Sequence, residues 1–216
     1  MTEQWAKKQY DCVNKTFLNT PYFLLILLAP LVVFSYYFAP YIVELFFKRG
    51  HFDAQAAQNT VLSLRPLLLT LPLAAVGYVQ NSALSAGQKI KEWFPYALVS
   101  GLIFTGIMWV IIPLKGAFAY PYLIGIGLLV GFVLNAFLFK KHLDFLQYLQ
   151  PFWVLLRLSA LAIVALLPAA LLSCVLAKNC WLQILGCGPV FLAAYVGILY
   201  FTKDIQILVQ FFRNDF

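Results

Sequence analysis

Three ionisable side chains interrupt long apolar runs: Glu44, Arg65 and Arg157. Charge surrounded by hydrocarbon is costly, and where it persists it usually marks a substrate path, an ion path or a proton relay. An arginine offers a planar, permanently charged fork that matches carboxylate or phosphate oxygens two at a time. Arg65, directly before Pro66, is therefore the first choice for an anion contact, with Glu44 as a coupling or structural carboxylate. The plainer alternative for all three is a long side chain near the end of a span reaching back to the interface. Glu44 and Arg65 sit toward the outer ends of their runs and Arg157 toward the inner end of its own.

Other chemistry finds little support. The two histidines, His51 and His142, fall in loops on opposite predicted faces and cannot share a site. Asp53, Glu92, Asp144 and Asp204 are loop or end residues and form no HExxH, Walker-type or paired-carboxylate pattern. No nucleophile, phosphate loop, cofactor motif or metal site is expected, and the reading is of a protein that is not an enzyme. Cys174, Cys180 and Cys187 cluster at one predicted external turn. Either Cys180 and Cys187 form a disulfide in an oxidising periplasm, or all three are small apolar residues at an interface; the spacing matches no zinc pattern.

The elements that must position these groups follow from composition. The chain is 63% hydrophobic and 11% charged, against about 45–50% and about 25% for soluble domains. An all-α integral membrane protein follows, because continuous apolar runs without period-2 alternation favour helices that satisfy their own backbone over an outer-membrane barrel. Spans are read at Pro21–Phe47, Thr60–Ala86, Phe94–Leu114, Tyr120–Phe139, Pro151–Ala177 and Trp181–Phe201, roughly six in all at about 20 residues each. The organisation expected is a cytoplasmic amphipathic lead-in over 1–20, a membrane domain over 21–201 and a cytoplasmic tail over 202–216.

With both ends inside, nine lysines and arginines fall in inner segments and four, Lys48, Arg49, Lys115 and Lys178, in outer ones. That bias supports a multi-pass protein of the cytoplasmic membrane with N- and C-termini cytoplasmic. The net charge of +7 then points to anionic lipid headgroups as partners; no aromatic-basic pattern suggests nucleic acid.

One outer turn breaks the bias. In LFFKRGHFDA, residues 45–54, Gly50 is suited to closing a helix in the left-handed conformation and Asp53 to capping the next one. Arg49, Gly50, Phe52 and Asp53, followed by the Leu71-Pro72 step and the small-residue run Ala83–Gly87, resemble the second half of the MviN/MurJ-type lipid II flippases of the multidrug/oligosaccharidyl-lipid/polysaccharide exporter superfamily. The specific part of the likeness is Glu44 to Gly87. At the end of that helix the chain departs from the family's aspartate-threonine-x-threonine-proline turn and keeps only Pro95.

The resemblance implies a two-lobe exporter fold of which this chain carries most of one lobe, without that lobe's first two helices. It implies alternating access that moves a polyprenyl-diphosphate-linked saccharide, with a second lobe supplied by another copy or a separate chain. On that reading Arg65, Arg49 and Lys48 contact the substrate, and Arg65, Pro66, Gln80, Asn81 and Ser82 are expected along one groove. The alternative is a non-transporting membrane subunit or truncated remnant. Pro30, Pro40, Pro66, Pro72 and Pro168 are candidate helix bends. Gly127 and Gly131 form a GxxxG step whose expected use is packing within the lobe, with self-pairing as the other outcome.

Overall fold

A computed structural model describes residues 10–47, 53–86, 90–116, 118–139, 145–176, 179–202 and 204. Among them the regular structure is helical: α1 (Tyr10–Tyr37), α2 (Ala39–Phe47), α3 (Ala54–Ala86), α4 (Ile90–Lys115), α5 (Ala119–Phe139), α6 (Phe145–Val175) and α7 (Cys180–Phe201). Five stretches are long and apolar enough to cross a membrane: Asn19–Tyr37, Ala54–Ser82, Phe94–Lys115, Leu149–Val175 and Cys180–Phe201. The described apolar part of α5, Ala119–Asn135, is shorter than these. The chain is an all-α, multi-pass membrane protein. Its α1 begins at Tyr10, so the latter half of the predicted lead-in is continuous with the first span.

The predicted span Pro21–Phe47 is two helices with a bend at Phe38. Pro40 supplies the cause: it has no N–H for the Tyr36 carbonyl, and its ring crowds that carbonyl. The backbone bridges the break with Phe38 N–H donating to Phe34 O at 2.9 Å and Ile42 N–H donating to Phe38 O at 3.0 Å. Pro30, Pro66, Pro72 and Pro168 lie inside helices that run on uninterrupted. At the far end of α4, Gly116 adopts φ 77° and its N–H donates to Ile112 O at 2.8 Å, a left-handed stop that a Cβ would strain.

The described residues divide into two compact units, one within Met1–Leu25 and Leu69–Val154, the other within Ile26–Leu68 and Leu155–Phe216. In the first, α4 packs on α5. A Cβ at Gly127 would lie 2.9 Å from the Phe104 ring, and one at Gly125 would lie 3.4 Å from Thr70 Cγ2. Gly131 has no described atom within 4 Å of such a Cβ, so among the described residues only the first glycine of the step seats a neighbour. The Phe132 and Phe152 rings meet at 6.4 Å between centroids.

The second unit is organised by α7. Its buried residues Gln183, Cys187, Phe191, Tyr195 and Leu199 recur every four positions, the ridge by which helices interlock. Phe34 lies 4.5 Å from Phe38 and 5.4 Å from Phe191, centroid to centroid. The Tyr195 hydroxyl donates to the Ile26 carbonyl at 3.1 Å, which gives a buried O–H its partner inside an apolar core. On α6, Leu158, Ala162, Ala165 and Ala169 are fully buried or nearly so; small side chains there let a neighbour approach closely.

Candidate functional site

Arg65 is placed by the start of α3. Asp53 accepts a 2.7 Å hydrogen bond from the Ala56 N–H through Oδ1, while its own carbonyl receives the Ala57 N–H at 3.1 Å. It thereby satisfies a first-turn donor and sets the helix start at Ala54. The sequence reading began this span at Thr60, and the helix starts six residues earlier. Eleven residues separate it from Ala54, about 16 Å along the axis at about 1.5 Å per residue.

At that depth the Arg65 side chain is half-buried, with its guanidinium carbon 5.3 Å from the centroid of the Tyr36 ring on α1. A cation over an aromatic face is stabilised by the ring quadrupole, more so where water is excluded. The Arg65 Nε is buried and makes no hydrogen bond. An unmet N–H on a charged group is costly, and an anionic oxygen in its plane would remove that cost.

Lys48, Arg49, Gly50 and Phe52 lie outside the described residues. Glu44, on α2, is half-buried and is engaged in a polar or electrostatic contact. Leu71 is exposed at 42% and Pro72 is buried, both well inside α3. The residues expected along one groove fall in different compact units: Arg65 and Pro66 belong to the second, and Gln80, Asn81 and Ser82 to the first.

In the first unit Gln80 is fully buried. Asn135 of α5 donates through Nδ2 to Gln80 Oε1 and to Asn81 Oδ1, each at 3.4 Å, the long end of hydrogen bonding. The Gln80 Nε2 has no partner. Asn135 was missed in the sequence; the available signal was one amide in an otherwise apolar helix.

Arg157 does not stand alone. It donates from Nη2 to Asp204 Oδ2 at 2.9 Å, and the Thr202 hydroxyl donates to the same oxygen at 2.7 Å. Asp204 is 3% exposed and Arg157 55% in their side chains. Since α7 ends at Phe201, Arg157 lies level with the first polar residues beyond that span. It is a boundary residue with an internal partner.

Gln183, also missed, closes the α6–α7 turn. Its Nε2 donates to the carbonyls of Ser173 at 3.0 Å and Leu176 at 3.4 Å, groups at a helix end that lack an intrahelical donor. Cys174, Cys180 and Cys187 are thiols that take part in no disulfide. The disulfide considered for Cys180 and Cys187 does not form, because both lie on α7 and seven helical residues separate them by about 10 Å, beyond the roughly 7 Å reach of a bridge. Cys187 instead approaches Gln183 Oε1 at 3.9 Å. Among the described residues no three His, Cys, Asp or Glu side chains gather to hold a metal ion.

Residues 1–187 match the family described as MurJ, lipid II flippase MurJ. No curated protein and no solved structure matches the chain. The match takes in α3, which carries Arg65, and the start of α7, both helices apolar enough for a bilayer. The chain belongs to the lipid II flippase MurJ family.

Proposed function

We propose that the chain forms part of one lobe of a cytoplasmic-membrane flippase, which carries a polyprenyl-diphosphate-linked saccharide of the lipid II kind across the bilayer by alternating access. A second lobe, from another copy or another polypeptide segment, completes the cavity, since repeat-built transporters place their sites where repeats meet. Both termini are cytoplasmic, in keeping with the excess of lysine and arginine on that side.

The observation that supports this reading most is Arg65: a guanidinium well inside a membrane helix, steadied by Tyr36 and carrying an unmet N–H. Diphosphate oxygens suit that fork in charge and geometry. Lys48 and Arg49, at the outer turn, are the second contacts, and Glu44 is the coupling or structural carboxylate.

The test uses cells depleted of their own lipid II flippase and measures how much lipid II is exposed to an enzyme added outside. Expression of this chain should restore exposure. Arg65→Ala should lower it by roughly tenfold or more, the scale of a lost hydrogen bond to a charged group, and Arg65→Lys should fall between. Equal exposure with wild type and Arg65→Ala at equal membrane amounts would remove Arg65 from the substrate path. No exposure with the wild-type chain would favour a non-transporting subunit.

A further inference from the structure

One recess in the first unit is almost wholly apolar. Between α4 and α5 runs an open groove of about 710 Å³, within the range of built small-ligand sites, roughly 300–1,000 Å³. Pro95, Val99, Ile103 and Ile107 line it from α4, with Ile126 and Val130 on the α5 side. Two lining residues carry a hydroxyl: Ser100 donates to its own helix at Ala97 O, 3.0 Å away, and Tyr96 is exposed. The rest of the lining is apolar and suits a hydrocarbon guest.

Two features identify the guest. The α4 lining residues form one i, i+4 row, and the next position of that row toward the helix start is Lys91, which is exposed; residues four apart on a helix lie one above the other. From Pro95 to Ile107 the row extends about 18 Å at about 1.5 Å per residue, close to the roughly 15 Å that one leaflet contributes to a hydrocarbon core of about 30 Å. The groove is thus one leaflet long, apolar along its length and cationic at one end. A second copy of the chain fits less well, because it would bring another net charge of +7 to a basic rim.

We propose that this groove is a binding site for an anionic phospholipid, with one acyl chain laid along the Pro95–Ile107 row and the headgroup phosphate at Lys91. The apolar window of α4, Phe94–Lys115, has no residue buried inside the protein, so a resident lipid would complete its packing.

The experiment is native mass spectrometry of the full chain, purified in mild detergent and exchanged with equal amounts of phosphatidylglycerol and phosphatidylcholine bearing the same acyl chains. The wild-type chain should retain phosphatidylglycerol about fivefold over phosphatidylcholine, the scale of one lysine near an anionic surface. Lys91→Gln, an exposed change that spares folding, should bring that ratio near one. Val99→Trp, which fills the groove, should lower retention of both lipids, while Leu102→Trp, on α4 but outside the lining, should behave as wild type. A wild-type ratio near one, a ratio unmoved by Lys91→Gln, or undiminished retention in Val99→Trp would each overturn the proposal. So would a lipid-free dimer, which would give the groove to a second copy.

Discussion

Arg157 of α6 and Asp204, just beyond α7, are joined at 2.9 Å, and the two partners are unequally exposed: 55% for the arginine side chain and 3% for the carboxylate. The inequality sets the sign of a mutational test. Removing Arg157 takes the cationic partner from a buried carboxylate that also accepts from the Thr202 hydroxyl, whereas removing Asp204 leaves an arginine that reaches water or headgroups on its own. Arg157→Ala should therefore cost more, about 2 kcal/mol against about 1 kcal/mol or less for Asp204→Ala, values discounted from a fully buried pair for the open arginine. Thermal unfolding of the two variants in one detergent checks the order. A larger loss for Asp204→Ala would contradict the geometry.

Gly127 and Gly131 should behave differently although they occupy equivalent places in the GxxxG step. A methyl at Gly127 would meet the Phe104 ring at 2.9 Å, and overpacking of that kind typically costs about 1–3 kcal/mol. The obstacle is the far end of one ring, so the lower figure is expected, with rescue by Phe104→Leu. Gly131→Ala should leave stability unchanged. If Gly131→Ala instead disrupts a dimer seen by crosslinking in membranes, the step serves self-pairing as well.

Much of the architecture was legible because hydrocarbon demands long apolar runs, and the helix start at Asp53 because a capping oxygen has a recognisable place in the chain. Of five candidate proline bends, only Pro40 coincides with a break; whether a helix absorbs a proline depends on neighbours that sequence does not display. Arg157 was read as a charge near the inner end of its span, able to reach the interface, and its partner Asp204 was not foreseen because it is 47 residues away. The helix that carries Arg65 was read as starting at Thr60, whereas the polar turns Gln55 to Asn59 belong to it as well.

Gln183 should matter more than a lone amide suggests. Its side chain bonds the Ser173 and Leu176 carbonyls, and Gln183→Leu would take that donor from both. A loss of about 1–2 kcal/mol is expected, together with faster amide exchange confined to the α6–α7 turn. Unchanged exchange there would mean that other groups hold the turn closed.

The Gln80–Asn135 contact predicts the opposite asymmetry from its chemistry. Asn135→Leu removes the donor from Gln80 Oε1 and should destabilise by about 1 kcal/mol, in line with membrane-buried side-chain hydrogen bonds. Gln80→Leu removes a donor that is already unmet together with its acceptor, so it should be near neutral or stabilising. Melting temperatures of both variants decide it. A Gln80→Leu variant that melts normally but loses flippase activity would show that the buried amide is kept for transport.

Tyr36 is the sharpest probe of Arg65, because it acts on the guanidinium without removing the charge. The ring lies 5.3 Å from the Arg65 guanidinium carbon, and a partly desolvated contact of this kind contributes about 0.5–2 kcal/mol. Tyr36→Phe keeps the ring face and should retain both stability and transport. Tyr36→Leu keeps apolar bulk but frees the guanidinium to reorient, so externally exposed lipid II should fall several-fold while the melting temperature moves little. Rescue follows the same logic: Tyr36→Trp, with a stronger quadrupole, should restore transport that Tyr36→Leu loses. If Tyr36→Phe falls as far as Tyr36→Leu, the hydroxyl matters and the ring contact does not position Arg65.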